Sequence, residues 1–152
     1  MLAFVLMALA AGAALASQAA INSQLAKGLL VQPLVAATVS FAVGTVVLLI
    51  LCLWKADLAG AWQQMPHQSW WKYLGGALGA GFVFTTVLLA PKLGITNMLF
   101  FVIIGQLLTA AVIDHFGLIH MPVRPLQIWH LAGLLVMAAG LGLFFFGRRL
   151  FG

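Results

Sequence analysis

The chain has 152 residues, of which 64% are hydrophobic and only 6% are charged, and its mean hydropathy is +1.17. An average soluble domain has roughly 25% charged residues. Seven Lys and Arg with two acidic residues cannot cover a soluble globule of this size, so the composition excludes an ordinary soluble protein. The net charge of +5 comes from basic residues scattered between apolar blocks, which indicates membrane topology and no nucleic-acid partner.

Charged residues and prolines divide the chain into five apolar blocks. These blocks cover about 2–26, 34–54, 70–90, 94–113 and 126–146. At 1.5 Å per residue, such helices would be about 30 to 37 Å long, which matches the hydrocarbon core of a bilayer. The sequence predicts an all-α polytopic membrane protein with five transmembrane helices, forming a single transmembrane domain over 1–152. The apolar start also contains Ala14-Leu15-Ala16, which looks like a signal-peptidase site. We expect no cleavage there, because no basic residue precedes it and apolarity resumes after it.

The basic residues divide almost evenly between the two sides of the membrane that five spans would define. The side of the N-terminus has Lys55, Lys72 and Arg124, and the other side has Lys27, Lys92, Arg148 and Arg149. A difference of one charge is too small to fix orientation, since the positive-inside rule depends on an excess. We therefore expect dual insertion and an antiparallel homodimer. The alternative is one orientation, in which Arg148 and Arg149 hold the C-terminus in the cytoplasm.

Small residues recur at helical spacing in two blocks. The third block has Gly75 and Gly79, and the last block has Gly133, Gly140 and Gly142. Small residues four apart allow helices to approach closely, so we expect helix packing in the third block. The last block has few polar residues, and a contact between subunits suits it better than a substrate pathway.

Polar side chains inside the blocks are costly in lipid and are the best pointers to function. Gln18 and Asn22 are four residues apart in the first block, and Gln106 and Asp114 share a face of the fourth. Such groups either join helices by hydrogen bonds or line a substrate site. The sequence has no catalytic motif and no metal-binding spacing, so we expect no enzyme activity, no metal and no cofactor. Cys52 is the single cysteine, so no internal disulfide is expected.

Several short motifs together resemble one transporter family. They are Gly12 to Gln18 with Asn22, Ser40 to Thr45, Trp71 to Gly79, Gly105-Gln106, Ile113 to Leu118, and a last helix with Gly133. Over nearly its whole length, the chain resembles the YdcZ-like five-helix family of the drug/metabolite transporter (DMT) superfamily. The resemblance implies a multi-pass protein of the bacterial inner membrane, equivalent to half of a ten-helix transporter made of inverted repeats.

The resemblance and the polar residues together give the candidate substrate-binding set, which is Gln18, Asn22, Trp71, Gln106 and Asp114. Small multidrug exporters of the same superfamily rely on a buried glutamate in their first helix, and this chain has none. Uncharged amides therefore favour a neutral, zwitterionic or amphipathic substrate, including a lipid-like one.

The leading hypothesis is an alternating-access transporter working as an antiparallel homodimer, whose site lies between the two copies near the midplane. Its expected partners are membrane lipid, the substrate and a second copy. The alternative is a non-transporting membrane subunit that pairs with a paralogue. A channel would instead show flux that does not saturate, with selectivity altered more than rate by Gln106→Leu.

Overall fold

The computed structural model describes the backbone of residues 1–151 and the side chains of residues 1–147. Six α-helices are present in this part of the chain. They are α1 (Leu2–Gly28), α2 (Pro33–Lys55), α3 (Leu58–Gln64), α4 (Leu74–Leu93), α5 (Ile95–Phe116) and α6 (Ile128–Phe151). Five helical segments are long and apolar enough to cross a membrane, and the described residues form no strand. The predicted all-α, five-span membrane architecture is confirmed.

Turn-forming residues set the helix ends. Pro33 begins α2, where its missing N–H costs no helical hydrogen bond. Gly94 ends α4 with a φ of +79°, a conformation that only glycine adopts at low cost, and α5 begins at the next residue. The prediction that the third span stops before Pro91 was wrong, because α4 continues to Leu93. Pro91 lies in the last turn of α4, so its missing N–H removes only the one helical hydrogen bond to the Val87 carbonyl, and the helix ends two residues later.

The segment between α2 and α4, which separates the second and third predicted spans, contains short helical structure. Asp57 caps α3 by accepting a hydrogen bond from the Gly60 N–H at 2.9 Å. A 3₁₀ turn at Trp70–Tyr73 leads into α4, so the third span begins as 3₁₀ and becomes α-helical at Leu74. The Tyr73 hydroxyl donates to the Met65 carbonyl at 2.7 Å and thereby ties this turn to the preceding loop.

The chain forms two compact units, Met1–Met98 and the residues from Leu99 onward. The single transmembrane domain expected for 1–152 stays a prediction. In the first unit, α1, α2 and α4 contact one another pairwise. Their shared core consists of Ala26, Ala36, Ala37, Val83 and Val87, three of which are alanines. Such small side chains let the helices approach closely and pack through dispersion contacts.

The small residues of the third span have unequal surroundings. A methyl group at Gly79 would lie 3.6 Å from the Phe41 ring of α2, which is ordinary van der Waals contact. At Gly75, a methyl group would meet nothing within 4 Å among the described residues. Gly79 therefore supports the expected close packing of α4 on α2, whereas Gly75 leaves an open surface.

In the second unit, α5 and α6 are joined by aromatic contacts and by a loop with anchored ends. The Phe100 and Phe144 ring centroids lie 4.6 Å apart, and those of Phe101 and Phe145 lie 5.3 Å apart. These pairs join the start of α5 to the distal part of α6, so the two helices run antiparallel. Gly117 ends α5 with a φ of +59°, and a methyl group there would come within 2.6 Å of Val123 Cγ2.

Candidate functional site

Asn22 is the most unusual polar residue in the first unit. Its side chain is only 4% exposed, and its Nδ2 is buried without a hydrogen-bond partner among the described residues. Buried polar groups in proteins are normally hydrogen-bonded, because an unsatisfied donor costs about 1–3 kcal/mol. Asn22 is therefore held in an unfavourable state that stability alone does not explain.

Asn22 lines an open cavity of about 460 Å³ between α1 and α2. The lining comprises Ala14, Ser17, Gln18, Ile21, Asn22 and Leu25 from α1, with Val39, Ser40 and Val43 from α2. The polar members are amides and hydroxyls, and no charged side chain belongs to this lining. An apolar wall with a few uncharged polar groups is typical of a small-molecule site. We call this the α1–α2 cavity.

Gln18 and Ser17 complete the polar side of the α1–α2 cavity. Gln18 is exposed one helical turn before the buried Asn22, so the two amides share a face of α1. The Ser17 hydroxyl donates to the Ala13 carbonyl at 2.9 Å, which leaves its oxygen lone pairs as acceptors toward the cavity. The α1–α2 cavity thus offers both donors and acceptors without a formal charge.

Helix geometry gives the positions of Gln18 and Asn22 along α1. Gln18 lies ten residues before the end of α1 at Gly28, or about 15 Å, which is half the thickness of a hydrocarbon core. Asn22 lies about 6 Å closer to that end. Gln18 is thus in the middle part of α1, and Asn22 is nearer its C-terminal end.

The other predicted site residues lie elsewhere in the chain. Trp71 belongs to the 3₁₀ turn before α4, with the Lys72 ammonium 5.9 Å from the centroid of its ring. Gln106 is exposed on α5, and Asp114 lies in the last turn of that helix. The structure therefore brings Gln18 and Asn22 together in one cavity, while Trp71, Gln106 and Asp114 are not part of its lining. The combined five-residue site stays a prediction.

Asp114 lines a second open cavity, of about 530 Å³, between α5 and α6. Its polar lining also includes Arg124, Trp129 and His130, none of which the sequence assigned to a site. The sequence signal for this cavity was a charged residue on each side of the loop between two spans, namely Asp114 and Arg124. We call this the α5–α6 groove.

Comparison with known families then identifies the chain. A family described as "Putative inner membrane exporter, YdcZ" matches residues 3–143. The chain belongs to the YdcZ family. This confirms the resemblance, and the family description together with five membrane-capable helices makes the chain a multi-pass inner-membrane protein. The description supports a membrane transporter and points away from an enzyme. No curated protein and no solved structure matches the chain.

Proposed function

We propose that this YdcZ-family protein exports a small neutral, zwitterionic or amphipathic organic compound by alternating access, using the α1–α2 cavity as its binding site. The observation that supports this proposal is the buried Asn22 amide, whose Nδ2 has no partner although its residue lines the cavity. Nδ2 itself is buried in this conformation, so in the proposed cycle a small movement of α1 against α2 exposes it, and a substrate carbonyl, ether or hydroxyl oxygen then accepts its hydrogen bond. A substrate would thereby recover the cost of burying that donor.

The character of the lining favours uncharged recognition. Gln18, Asn22 and Ser40 supply polar atoms, and the remaining side chains of the α1–α2 cavity are mostly apolar. A bare cation or anion in this cavity would lose hydration without gaining a counter-charge, which is expensive in a low-dielectric site. A neutral compound, or the neutral part of an amphiphile, would not incur this cost.

The proposed assembly is an antiparallel homodimer. Transporters commonly place the substrate between two inverted repeats, and five spans provide only one such repeat. The near-even division of basic residues permits insertion in both orientations. Two inverted copies would then contribute their α1–α2 cavities to one pathway, and Gly140 and Gly142 of α6 would suit the contact between the copies.

A transport experiment tests the site. Inverted membrane vesicles would be prepared with the wild type, Asn22→Leu or Thr86→Val, and uptake of matched neutral, zwitterionic, cationic and anionic amphiphiles would be compared. Thr86 is equally buried, but its hydroxyl donates to the Val83 carbonyl at 2.9 Å, so Thr86→Val is the matched control. We expect saturable uptake of the uncharged or zwitterionic members, at least tenfold lower in Asn22→Leu and retained in Thr86→Val. Uptake of cations alone, or full activity of Asn22→Leu, would contradict the proposal.

A topology experiment tests the assembly. Reporters active on only one side of the membrane would be fused to the C-terminus and expressed in cells without a related family member. Signal from both kinds of reporter, together with saturable transport, supports the self-sufficient antiparallel dimer. One orientation, with transport that requires a coexpressed paralogue, would favour the alternative of a partner subunit.

A further inference from the structure

The loop that precedes α6 is fastened to the end of α5 by hydrogen bonds. The Arg124 N–H donates to the Asp114 carbonyl at 2.7 Å, and the Leu126 N–H donates to His115 Nδ1 at 3.0 Å. The Gln127 N–H in turn donates to His130 Nδ1 at 3.0 Å at the start of α6. These bonds place the backbone of Arg124 directly beside that of Asp114.

The fastened loop brings two opposite charges to the α5–α6 groove. Asp114 and Arg124 both line it, on a helix end and a loop that lie at the edge of a membrane span. Trp129, the second residue of α6, lines the same region, and tryptophan prefers the boundary between headgroups and acyl chains. The groove therefore offers an anion partner and a cation partner at the depth of lipid headgroups.

Away from these charges, the α5–α6 groove becomes apolar. Its walls are formed by Leu107 and Ala111 from α5 and by Gly133, Leu134 and Met137 from α6. A methyl group on Gly133 would meet nothing within 4 Å, so the absence of a side chain there leaves real space between the helices. A charged mouth above an apolar slot has the polarity pattern of a phospholipid.

We propose that the α5–α6 groove binds a zwitterionic phospholipid of the phosphatidylethanolamine class. Arg124 would bind the phosphate, because guanidinium groups pair well with phosphate oxygens. Asp114 would accept hydrogen bonds from the primary ammonium, and one acyl chain would lie along Gly133 between α5 and α6. The α5–α6 groove shares no lining residue with the α1–α2 cavity, and we assign it a bound bilayer lipid, not the transported compound.

The experiment is competitive lipid retention measured by native mass spectrometry on the purified full-length protein. The probes are dioleoyl phosphatidylethanolamine, phosphatidylglycerol and phosphatidylcholine, which share acyl chains and phosphate. Phosphatidylglycerol lacks the cation, and phosphatidylcholine has a cation without N–H donors. We expect the wild type to retain phosphatidylethanolamine about tenfold better than phosphatidylglycerol, the ratio that one charge-assisted hydrogen bond would give.

Four variants assign the contacts. Asp114→Asn should reduce the preference over phosphatidylglycerol to near unity, and Arg124→Gln should lower retention of all three lipids about tenfold. Gly133→Leu should fill the slot and lower retention of all three, whereas Ala132→Leu, an exposed position outside the groove lining, should leave retention unchanged. Circular dichroism and gel filtration would verify folding of each variant.

Three results would overturn the proposal. They are a wild type that retains phosphatidylglycerol as well as phosphatidylethanolamine, an unchanged preference in Asp114→Asn, and equal retention by Gly133→Leu and Ala132→Leu. The comparison of phosphatidylethanolamine with phosphatidylglycerol in the wild type tests the proposal even if a variant does not fold. Because the readout is lipid retention, a failure here leaves the transport proposal standing, and a failure of transport leaves the lipid site standing.

Discussion

Replacing Asn22 with leucine should make the protein more stable and less active at the same time. Leu has the same branching as Asn but is larger, and its extra volume can extend into the α1–α2 cavity that Asn22 lines. It removes a buried Nδ2 that has no partner among the described residues. The same change removes the donor that we propose for the substrate.

The size of the stability gain follows from the environment of the amide. An unsatisfied buried donor costs about 1–3 kcal/mol in soluble proteins. Inside a membrane the unfolded reference state also finds partners, and polar contacts between helices average only about 0.6 kcal/mol, with a maximum near 1.7. We therefore expect the free energy of unfolding of Asn22→Leu to rise by about 1 kcal/mol, equivalent to about 2–4 °C in melting temperature.

The assay is unfolding by denaturing detergent in mixed micelles, followed by circular dichroism, with Thr86→Val as the control. The Thr86 hydroxyl already has a partner in the Val83 carbonyl, so its removal should leave stability unchanged or slightly lower. The reasoning is refuted if Asn22→Leu is less stable than the wild type, or if the two variants shift by the same amount in the same direction. The first result would mean that the Asn22 amide makes a stabilising contact in the membrane.

Three further predictions concern the turns. Val31 has a φ of +59°, a conformation unfavourable for a β-branched residue, so Val31→Asn should raise the free energy of unfolding by about 1 kcal/mol, and a loss of stability would contradict this. Gly94→Ala and Gly117→Ala should both lower the melting temperature. Gly94 has φ +79° with ψ 151°, which is open almost only to glycine, and a methyl group on Gly117 would strike Val123; an unchanged melting temperature in either variant would oppose this. His115→Ala should accelerate hydrogen exchange at the Leu126 amide at least tenfold, because it removes the acceptor of that amide. The control His67→Ala should leave this exchange rate unchanged. Unchanged protection in His115→Ala would show that another group holds the loop.

The spans could be predicted from the sequence because one strong effect, the preference of long apolar segments for the bilayer, determines them. Blocks of about 20 apolar residues bounded by charges have no better environment than the bilayer, and all five appear as helices. The errors in the prediction lie at the helix ends, where weaker local effects such as capping and proline placement act. Pro91 lies inside the last turn of α4, and Asp57 caps a short helix that lies between two of the predicted spans.

The candidate site was harder to predict because burial depends on tertiary contacts. Gln18 and Asn22 have the same helical phase and similar amide chemistry, yet Gln18 is exposed and Asn22 is 4% exposed. Nothing in the spacing separates them, since the difference arises from how α1 packs in the first unit. Arg124 was missed for a related reason. A backbone hydrogen bond across a ten-residue separation places it beside Asp114, and residue type gives no sign of such a bond.

The placement of the two acidic residues limits how this membrane transporter could use charge. The Asp57 carboxylate caps α3 outside the spans, and Asp114 lies in the last turn of α5, at the edge of a span. A carboxylate that exchanges a proton for a cationic substrate normally needs a position within the membrane, where burial makes protonation and binding compete. Neither residue has that depth. Gln18 and Asn22 of the α1–α2 cavity lie inside the first span, whereas Asp114 of the α5–α6 groove lies in the last turn of α5. The two proposals therefore place substrate recognition by hydrogen bonding and lipid binding by charge on different residues of the chain.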